Sequence, residues 1–295
     1  MRAAYIGNFS PYHTEVGVAD ALERTGWPVA RYHLKSLGQE RFLCRGYELV
    51  LTTTPHLLPD EFWAGLKARG AVLVAHYFDW IWGLQNRGSA YGATLPLFDL
   101  TLSTDGFDSK EYEERGVRRL YFPQGINPKW HFAVSGGPEC DVAFIGNGNG
   151  ERSGLFDRLR KRYDFRHYGQ HNEARGPARN PLVAGAKVML CTSYRNDVPG
   201  YWSNRVYQDL AGGGFVLHAE VEGLERYFKP GVHLDTWADE GELFEKIDYY
   251  LSNPRTREQI ARAGHREVMK KHTWCTRAEE MWEIFRELGW CPTPT

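Results

Sequence analysis

The chain has no cysteine pattern to build on. Its five cysteines, Cys44, Cys140, Cys191, Cys275 and Cys291, are scattered, odd in number and free of any CxxC or Cys/His ligand spacing. That excludes a disulfide framework and a zinc site, and it points to a reducing compartment in which these residues serve as packing. Long apolar runs are missing as well. No segment approaches the roughly 18 to 20 apolar residues that cross a bilayer. The opening MRAAYIGNFSP has one charge before Gly7 and Pro11, too little for a signal peptide's apolar core. The expectation is a cytoplasmic protein with no membrane insertion. An excess of one charge is also absent: 36 Lys and Arg stand against 37 Asp and Glu. A net charge of −1 exerts no long-range pull on nucleic acid or anionic lipid, so a polyanion would have to be held by a local patch. With no Asp-x-Asp pair either, no metal and no cofactor is expected.

What is present is an ordinary globular composition, 42% hydrophobic and 25% charged, with a high aromatic share of 14%. At 295 residues the chain sits where one core stops growing, so two domains and a cleft between them are expected. Apolar runs of strand length fall at 3–6, 29–34, 48–52 and 71–75, with shorter ones near Thr101 and Leu120. Helical periodicity lies between them, at 14–25, 59–69 and 109–115. The stretch 127–138, with two prolines and a Gly pair, reads as a linker. A second cycle follows: strands at 141–145, 165–168, 187–192 and 215–218, and helices at 151–163, 203–211, 224–228, 240–252, 255–272 and 276–288. Short apolar strands alternating with helices predict parallel sheets covered on both faces. Such sheets bind ligands beyond the carboxyl ends of their strands.

Two segments carry the chemistry of an anion site. Gly146-Asn147-Gly148-Asn149-Gly150 joins a strand to a helix, where backbone N–H groups can meet a phosphate, and Arg152 follows closely. It departs from the dinucleotide fingerprint and lacks the acidic ribose residue about 20 positions on, so it reads equally as a plain turn. The second segment is YWSNRVYQDLAGGGFVL. There Ser203 or Asn204 is placed to cap a helix whose first turn holds Arg205, with Gln208 on the same face. The same residues also read as a capped helix with one surface arginine.

The stretch from Tyr201 to about Phe285 resembles the donor-binding domain of GT-B glycosyltransferases, in particular the branch with spore-maturation-type and bacteriophage-encoded members. The resemblance rests on SNRVYQDLAGGGFVLHAE, Gly223-Leu224-Glu225, Lys229-Pro230-Gly231, the Asn253-Pro254 break and His272-Thr273-Trp274. In the N-terminal half, IGNFSPYHTE, YFDW with Trp82-Gly83-Leu84 and Arg87, Thr104-Asp105-Gly106 and PQGIN resemble the phage-encoded branch. The resemblance implies an α/β protein of GT-B fold with two Rossmann-like domains. The first, 1–133, would take the acceptor, with a terminal helix of about 275–295 packed back on it. The second, 139–274, would hold a nucleotide sugar.

The implied donor contacts are Gly7, Asn8, Gly146, Gly148, Arg152, Ser203, Asn204, Arg205 and Gln208, with the arginines at the diphosphate and Gln208 near the ribose. Retaining families carry two glutamates seven residues apart where this chain has Gly200 and Gln208, so the stereochemistry is not implied. For a general base the candidates are Asp79, His13 and Asp105. Asp79 leads because Phe78 and Trp80 beside it would desolvate its carboxyl and raise its pKa. Its other reading is a helix N-cap before 81–86; His13 and Asp105 read equally as turn residues, and Glu15 as a cap. The segment 152–179 holds eight Lys or Arg against three acids, either a polyanion groove or a solvated face.

The function expected is transfer of a hexose, glucose from UDP-glucose, to an acceptor hydroxyl, with a hydroxymethylated base in DNA as one acceptor and a polysaccharide, protein or small molecule as others. A catalytically silent nucleotide-sugar binder and a nicotinamide oxidoreductase are the competing classes.

Overall fold

The structure is a computed structural model and describes residues 2–81, 87–148, 152–169 and 174–290, the side chains of 87–89 excepted. The chain divides into two compact units, residues 1–124 with 274–295, and residues 125–273. Each is built on one parallel sheet.

In the first unit the strands are β1 (Ala3–Gly7), β2 (Val29–His33), β3 (Leu49–Thr52), β4 (Val72–Tyr77), β5 (Leu100–Ser103) and β6 (Arg119–Tyr121). They lie in the order β2-β1-β3-β4-β5-β6, each pair parallel. β1, β3 and β5 are buried at every position, as strands covered on both faces must be. Crossovers carry α1 (Thr14–Arg24), α2 (Gln39–Leu43), α3 (Asp60–Lys67), α4 (Arg87–Thr94) and α5 (Lys110–Glu113). One face of the sheet packs on α1. There Trp27 makes edge-on contacts with Trp282 and Phe285, at centroid distances of 5.0 and 5.4 Å.

The second unit comprises β7 (Cys140–Ile145), α6 (Arg152–Arg162), β8 (Phe165–Tyr168), α7 (Arg179–Gly185), β9 (Ala186–Cys191), α8 (Arg205–Ala211), β10 (Val216–Ala219), β11 (Asp235–Trp237), α9 (Glu240–Ser252) and α10 (Pro254–Lys271). The chain then rejoins the first unit as α11 (Trp274–Glu287), which brings Trp282 and Phe285 to α1. The sheet order is β11-β10-β9-β7-β8, again all parallel. Both sheets thus begin with a strand flanked by its first and second successors. β1 lies between β2 and β3, and β7 lies between β8 and β9, and at that reversal of strand order the helices leave opposite faces and open a crevice.

Several elements differ from the sequence expectation. The periodic run 224–228 is only a 3₁₀ turn, Leu224–Arg226, started by Gly223 at φ +93°. The short helices α2, α4 and α7 and the edge strand β11 were not expected. The helix over 81–86, which the alternative reading of Asp79 as an N-cap requires, falls outside the described residues from 82 onward.

His76, on β4, is fully buried, and neither ring nitrogen has a hydrogen-bond partner. Phe78, Phe122 and Trp274 surround it at centroid distances of 4.3, 5.3 and 6.2 Å. Burial lowers its pKa from 6.5 to about 3. His131 and His218 are shifted the same way, to about 3 and about 4, chiefly by burial. The unfolded chain therefore takes up these protons first. Their neutral forms favour the fold fully above about pH 6.5, and stability falls as pH drops from there toward 3, by about 1.4 kcal/mol per pH unit for each histidine. His76→Phe fills the aromatic cage without a titrating group. Its melting temperature should fall less between pH 7 and pH 5 than that of the wild type. An identical acid loss in the two proteins would exclude His76 as a source of it.

Candidate functional site

The second unit's crevice is organised by Arg205, the first residue of α8. Its Nε donates to the carbonyl of Ile145, the last residue of β7, at 2.5 Å. Its Nη1 donates to the carbonyl of Thr192, just past β9, at 2.8 Å. One guanidinium thus spans the two strand ends at which the order of the sheet reverses. It also lies over the Phe144 ring, 4.3 Å from the centroid. Desolvation lowers its pKa, and the nearest carboxylate on its own helix, Asp209, is paired elsewhere.

Arg152 lies over the same Phe144 ring. Its guanidinium is 5.6 Å from the Phe144 centroid and donates to the Asn147 carbonyl at 2.9 Å. Burial lowers its pKa first, and the charge of Arg205 lowers it further. Two desolvated cations that repel one another are stabilised by an anion between them.

The turn above them is fixed by its own bonds. Gly146 N–H donates to the Tyr168 carbonyl at 2.8 Å, and His167 Nε2 meets the Gly146 carbonyl at 2.7 Å. Gly146 has φ +149°, and a Cβ there would collide with Arg205 Nη2; a Cβ on Gly148 would strike His167. Asn149 and Gly150 lie outside the described residues.

A hydrogen-bonded loop brings α8 to this place. Asn196 accepts from Ser193 N–H at 2.8 Å and donates to Thr192 Oγ1 at 2.9 Å, while Ser203 N–H donates to Ser193 Oγ at 3.0 Å. Ser203 Oγ accepts from Arg205 N–H at 3.3 Å. Asn204 does not cap the helix: it has αR backbone angles, makes no side-chain cap bond, and its Oδ1 is buried without a partner. Gln208 is half-buried one turn beyond, on the face that carries Arg205. Beneath lies a buried ion pair that sequence reasoning missed. Arg179 Nε and Nη2 both donate to Asp209 Oδ1, at 2.9 and 2.5 Å, and so tie α7 to α8.

In the first unit the sequence candidates fare differently. Asp79 is exposed, and the expected desolvation by its neighbours does not occur. Phe78 turns inward against His76 and Trp274, since adjacent residues of an extended chain face opposite ways. Asp105 is buried with both oxygens committed. Oδ1 accepts from Ser103 at 2.6 Å and Arg119 at 3.3 Å, and Oδ2 accepts from Tyr112 at 2.5 Å. Its carboxylate therefore holds the turn after β5 and is not available as a base.

His13 is the N-cap of α1 without a side-chain cap bond, and its Nε2 lies 3.3 Å from Asn8 Nδ2. Asn8, just past Gly7, does not offer a free backbone N–H to a phosphate, because it donates to Glu15 Oε1 at 3.2 Å. Glu15 is a buried carboxylate in the first turn of α1, not a cap.

The basic run 152–179 is largely neutralised. Arg158 pairs with Glu240, Arg160 with Asp157, Arg162 with Asp248, Arg166 with Asp164 and Arg179 with Asp209. No polyanion groove is formed by these five. Among the described residues no group of three or more His, Cys, Asp or Glu side chains is placed to hold a metal, and no helix is long and apolar enough to cross a membrane.

A glycosyl transferase-like family model matches residues 132–283, which spans the Arg205 crevice and more than half of the chain. The chain belongs to that family. Solved structures show the same fold at low identity. An α-glucosyltransferase in complex with UDP superposes with a TM-score of 0.69 at 10% identity, covering 97% of this chain and 100% of the other. Sucrose-phosphate synthase from Thermosynechococcus elongatus gives 0.66 at 14%, with 98% and 99% covered. The DNA-modifying β-glucosyltransferase, solved with and without uridine diphosphoglucose, gives 0.62 at 11%, with 98% and 100% covered. No curated protein matches by sequence. The two doubly wound units are those of the GT-B fold of this glycosyltransferase family.

The Arg179–Asp209 pair yields a stability prediction. Arg179→Met leaves a buried carboxylate uncompensated and should cost about 3 to 5 kcal/mol in urea unfolding. Arg179→Met with Asp209→Leu should recover most of that. A single variant as stable as the double would mean that the pair is not desolvated.

Proposed function

We propose that the protein transfers a hexose, glucose from UDP-glucose, to an acceptor hydroxyl, and that the diphosphate of the donor lies between Arg205 and Arg152. The observation that carries this reading is the Arg205 guanidinium, which bridges β7 and β9 at the crevice where doubly wound units bind ligands and, among the described residues, forms no ion pair with a carboxylate. In transfer, the bond between the anomeric carbon and the diphosphate breaks, and the leaving group gains charge. Two fixed cations stabilise that charge without a metal. The nucleotide bound by the α-glucosyltransferase supports UDP as the carrier, and the family supports transfer over silent binding.

Arg205→Ala should weaken UDP binding by roughly 1.5 to 3 kcal/mol, the range for hydrogen bonds to charged groups. Titration calorimetry reads it directly, and turnover of UDP-glucose should survive excess EDTA. Unchanged UDP affinity in a folded variant would remove the arginine from the site, and activity restored only by Mg²⁺ or Mn²⁺ would refute metal independence.

For the acceptor, the resemblance of the N-terminal half to phage-encoded enzymes and the fold shared with a DNA-modifying β-glucosyltransferase favour a hydroxymethylated base. The pairing of the basic run speaks for a small hydroxyl compound instead. Supplying UDP-glucose with a 5-hydroxymethylcytosine duplex, an unmodified duplex and small polyols separates the two.

Asp79 remains the proposed general base, as an exposed carboxylate just past β4 that a hydroxyl can reach. Asp79→Asn should lower kcat about 10²- to 10⁴-fold while UDP affinity holds. Near-wild-type turnover, or a product of retained anomeric configuration, would refute it.

A further inference from the structure

The first unit repeats the topology of the second with the charge at its crevice reversed. Where Arg205 joins the ends of β7 and β9, Glu15 joins the ends of β1 and β3. Its Oε1 accepts from Asn8 N–H, just past β1, at 3.2 Å, and from Thr53 Oγ1, just past β3, at 2.7 Å. The residue is only 7% exposed. It reaches this position because Gly7 has no side chain: a Cβ there would lie 2.8 Å from Glu15 Cγ and 3.2 Å from Thr53 Oγ1. Both hydrogen bonds fall on Oε1, so Oε2 keeps its lone pairs for something else. Beside it the Tyr5 hydroxyl is fully buried without a partner, close enough for the Glu15 charge to add to the burial that raises its pKa.

A carboxylate so placed has two consequences. It occupies the backbone N–H and hydroxyl donors that a phosphate would use in this crevice, and it repels any phosphate that approaches. It also offers a strong acceptor to an incoming O–H. We propose that Glu15 is the acceptor-recognition residue of the first unit, taking a hydrogen bond from a neutral hydroxyl compound and barring phosphate from this crevice. The proposal rests on the glycosyltransferase reading for the hydroxyl, but the exclusion of phosphate is independent of it.

The exclusion is read with inorganic pyrophosphate by calorimetry. Arg205→Ala should bind it at least tenfold more weakly than the wild type, and adding Glu15→Ala should restore at least tenfold of that affinity through the vacated crevice. Glu15→Gln in the same background removes the charge but keeps an acceptor for Asn8 and Thr53, and should give a smaller gain. It also serves if the alanine variant does not fold. No gain in either folded double variant overturns the proposal.

The recognition is read from UDP-glucose turnover at varied glycerol or 5-hydroxymethylcytosine duplex. Glu15→Gln should raise the KM for the hydroxyl about 10- to 100-fold, the effect of losing a charge-assisted hydrogen bond, with UDP affinity unchanged. An unchanged KM, or a weakened UDP affinity, overturns it. A wild type that binds UDP but turns over neither acceptor fails the transferase reading alone, and the pyrophosphate arm then decides the role of Glu15.

Discussion

The second unit depends on one interaction, the guanidinium of Arg205 against the carbonyls of Ile145 and Thr192. Strand ends in a parallel sheet leave carbonyls that no neighbour satisfies, and at the reversal between β7 and β9 two of them face one opening. A planar cation with several donors bonds both at once, which a lysine's point charge would not do with the same geometry. Much else in the unit follows from keeping it there. Gly146 has no side chain because Arg205 Nη2 takes the space, Ser193 and Asn196 fix the loop that delivers α8, and Arg179 withdraws Asp209 from competition. Burying a cation that forms no ion pair costs stability, and under the proposed function a bound diphosphate would offset that cost.

The sequence made the strands legible because each is short, apolar and set between helical periods, the pattern a doubly covered sheet imposes. α7, with a proline and a glycine in its seven residues, has no helical signature of its own and forms because Arg179 and Asn180 are held by partners distant in sequence, Asp209 and the Trp130 carbonyl. β11 is a three-residue edge strand completed by pairing with β10, a non-local event that no window of sequence contains.

The candidate site was legible where its geometry is local and illegible where it is tertiary. Arg205 and Arg152 stand beside a glycine turn or a helix start, and the structure places both over Phe144. The aromatic neighbours of Asp79 suggested a desolvated carboxyl, yet in an extended segment neighbouring side chains diverge, and Phe78 went to the core while Asp79 went to solvent. Asp105 sits before a glycine as any turn former does. Its bonds to Ser103, Tyr112 and Arg119 come from β5, α5 and β6, and only the folded sheet brings them together. Glu15 gave the weakest signal of all, an acid in a helix's first turn.

Two sheets of the same order in one chain need not bind the same ligand, and the difference here is set by which charge stands at the reversal. Both units have a strand, a glycine turn and a helix at that point, which by topology alone would make each a phosphate site. In the second unit the turn is backed by two arginines. In the first its N–H group is bound by the chain's own carboxylate, which acts where a phosphate oxygen would. Under the proposed function, a protein that holds a charged donor and a neutral acceptor would gain from that asymmetry, because a carboxylate in the crevice repels a second nucleotide's phosphates. The asymmetry requires Gly7 in the first unit, so that Glu15 fits beneath the turn, and Gly146 in the second, so that Arg205 does. The two glycines occupy equivalent places and leave room for opposite charges.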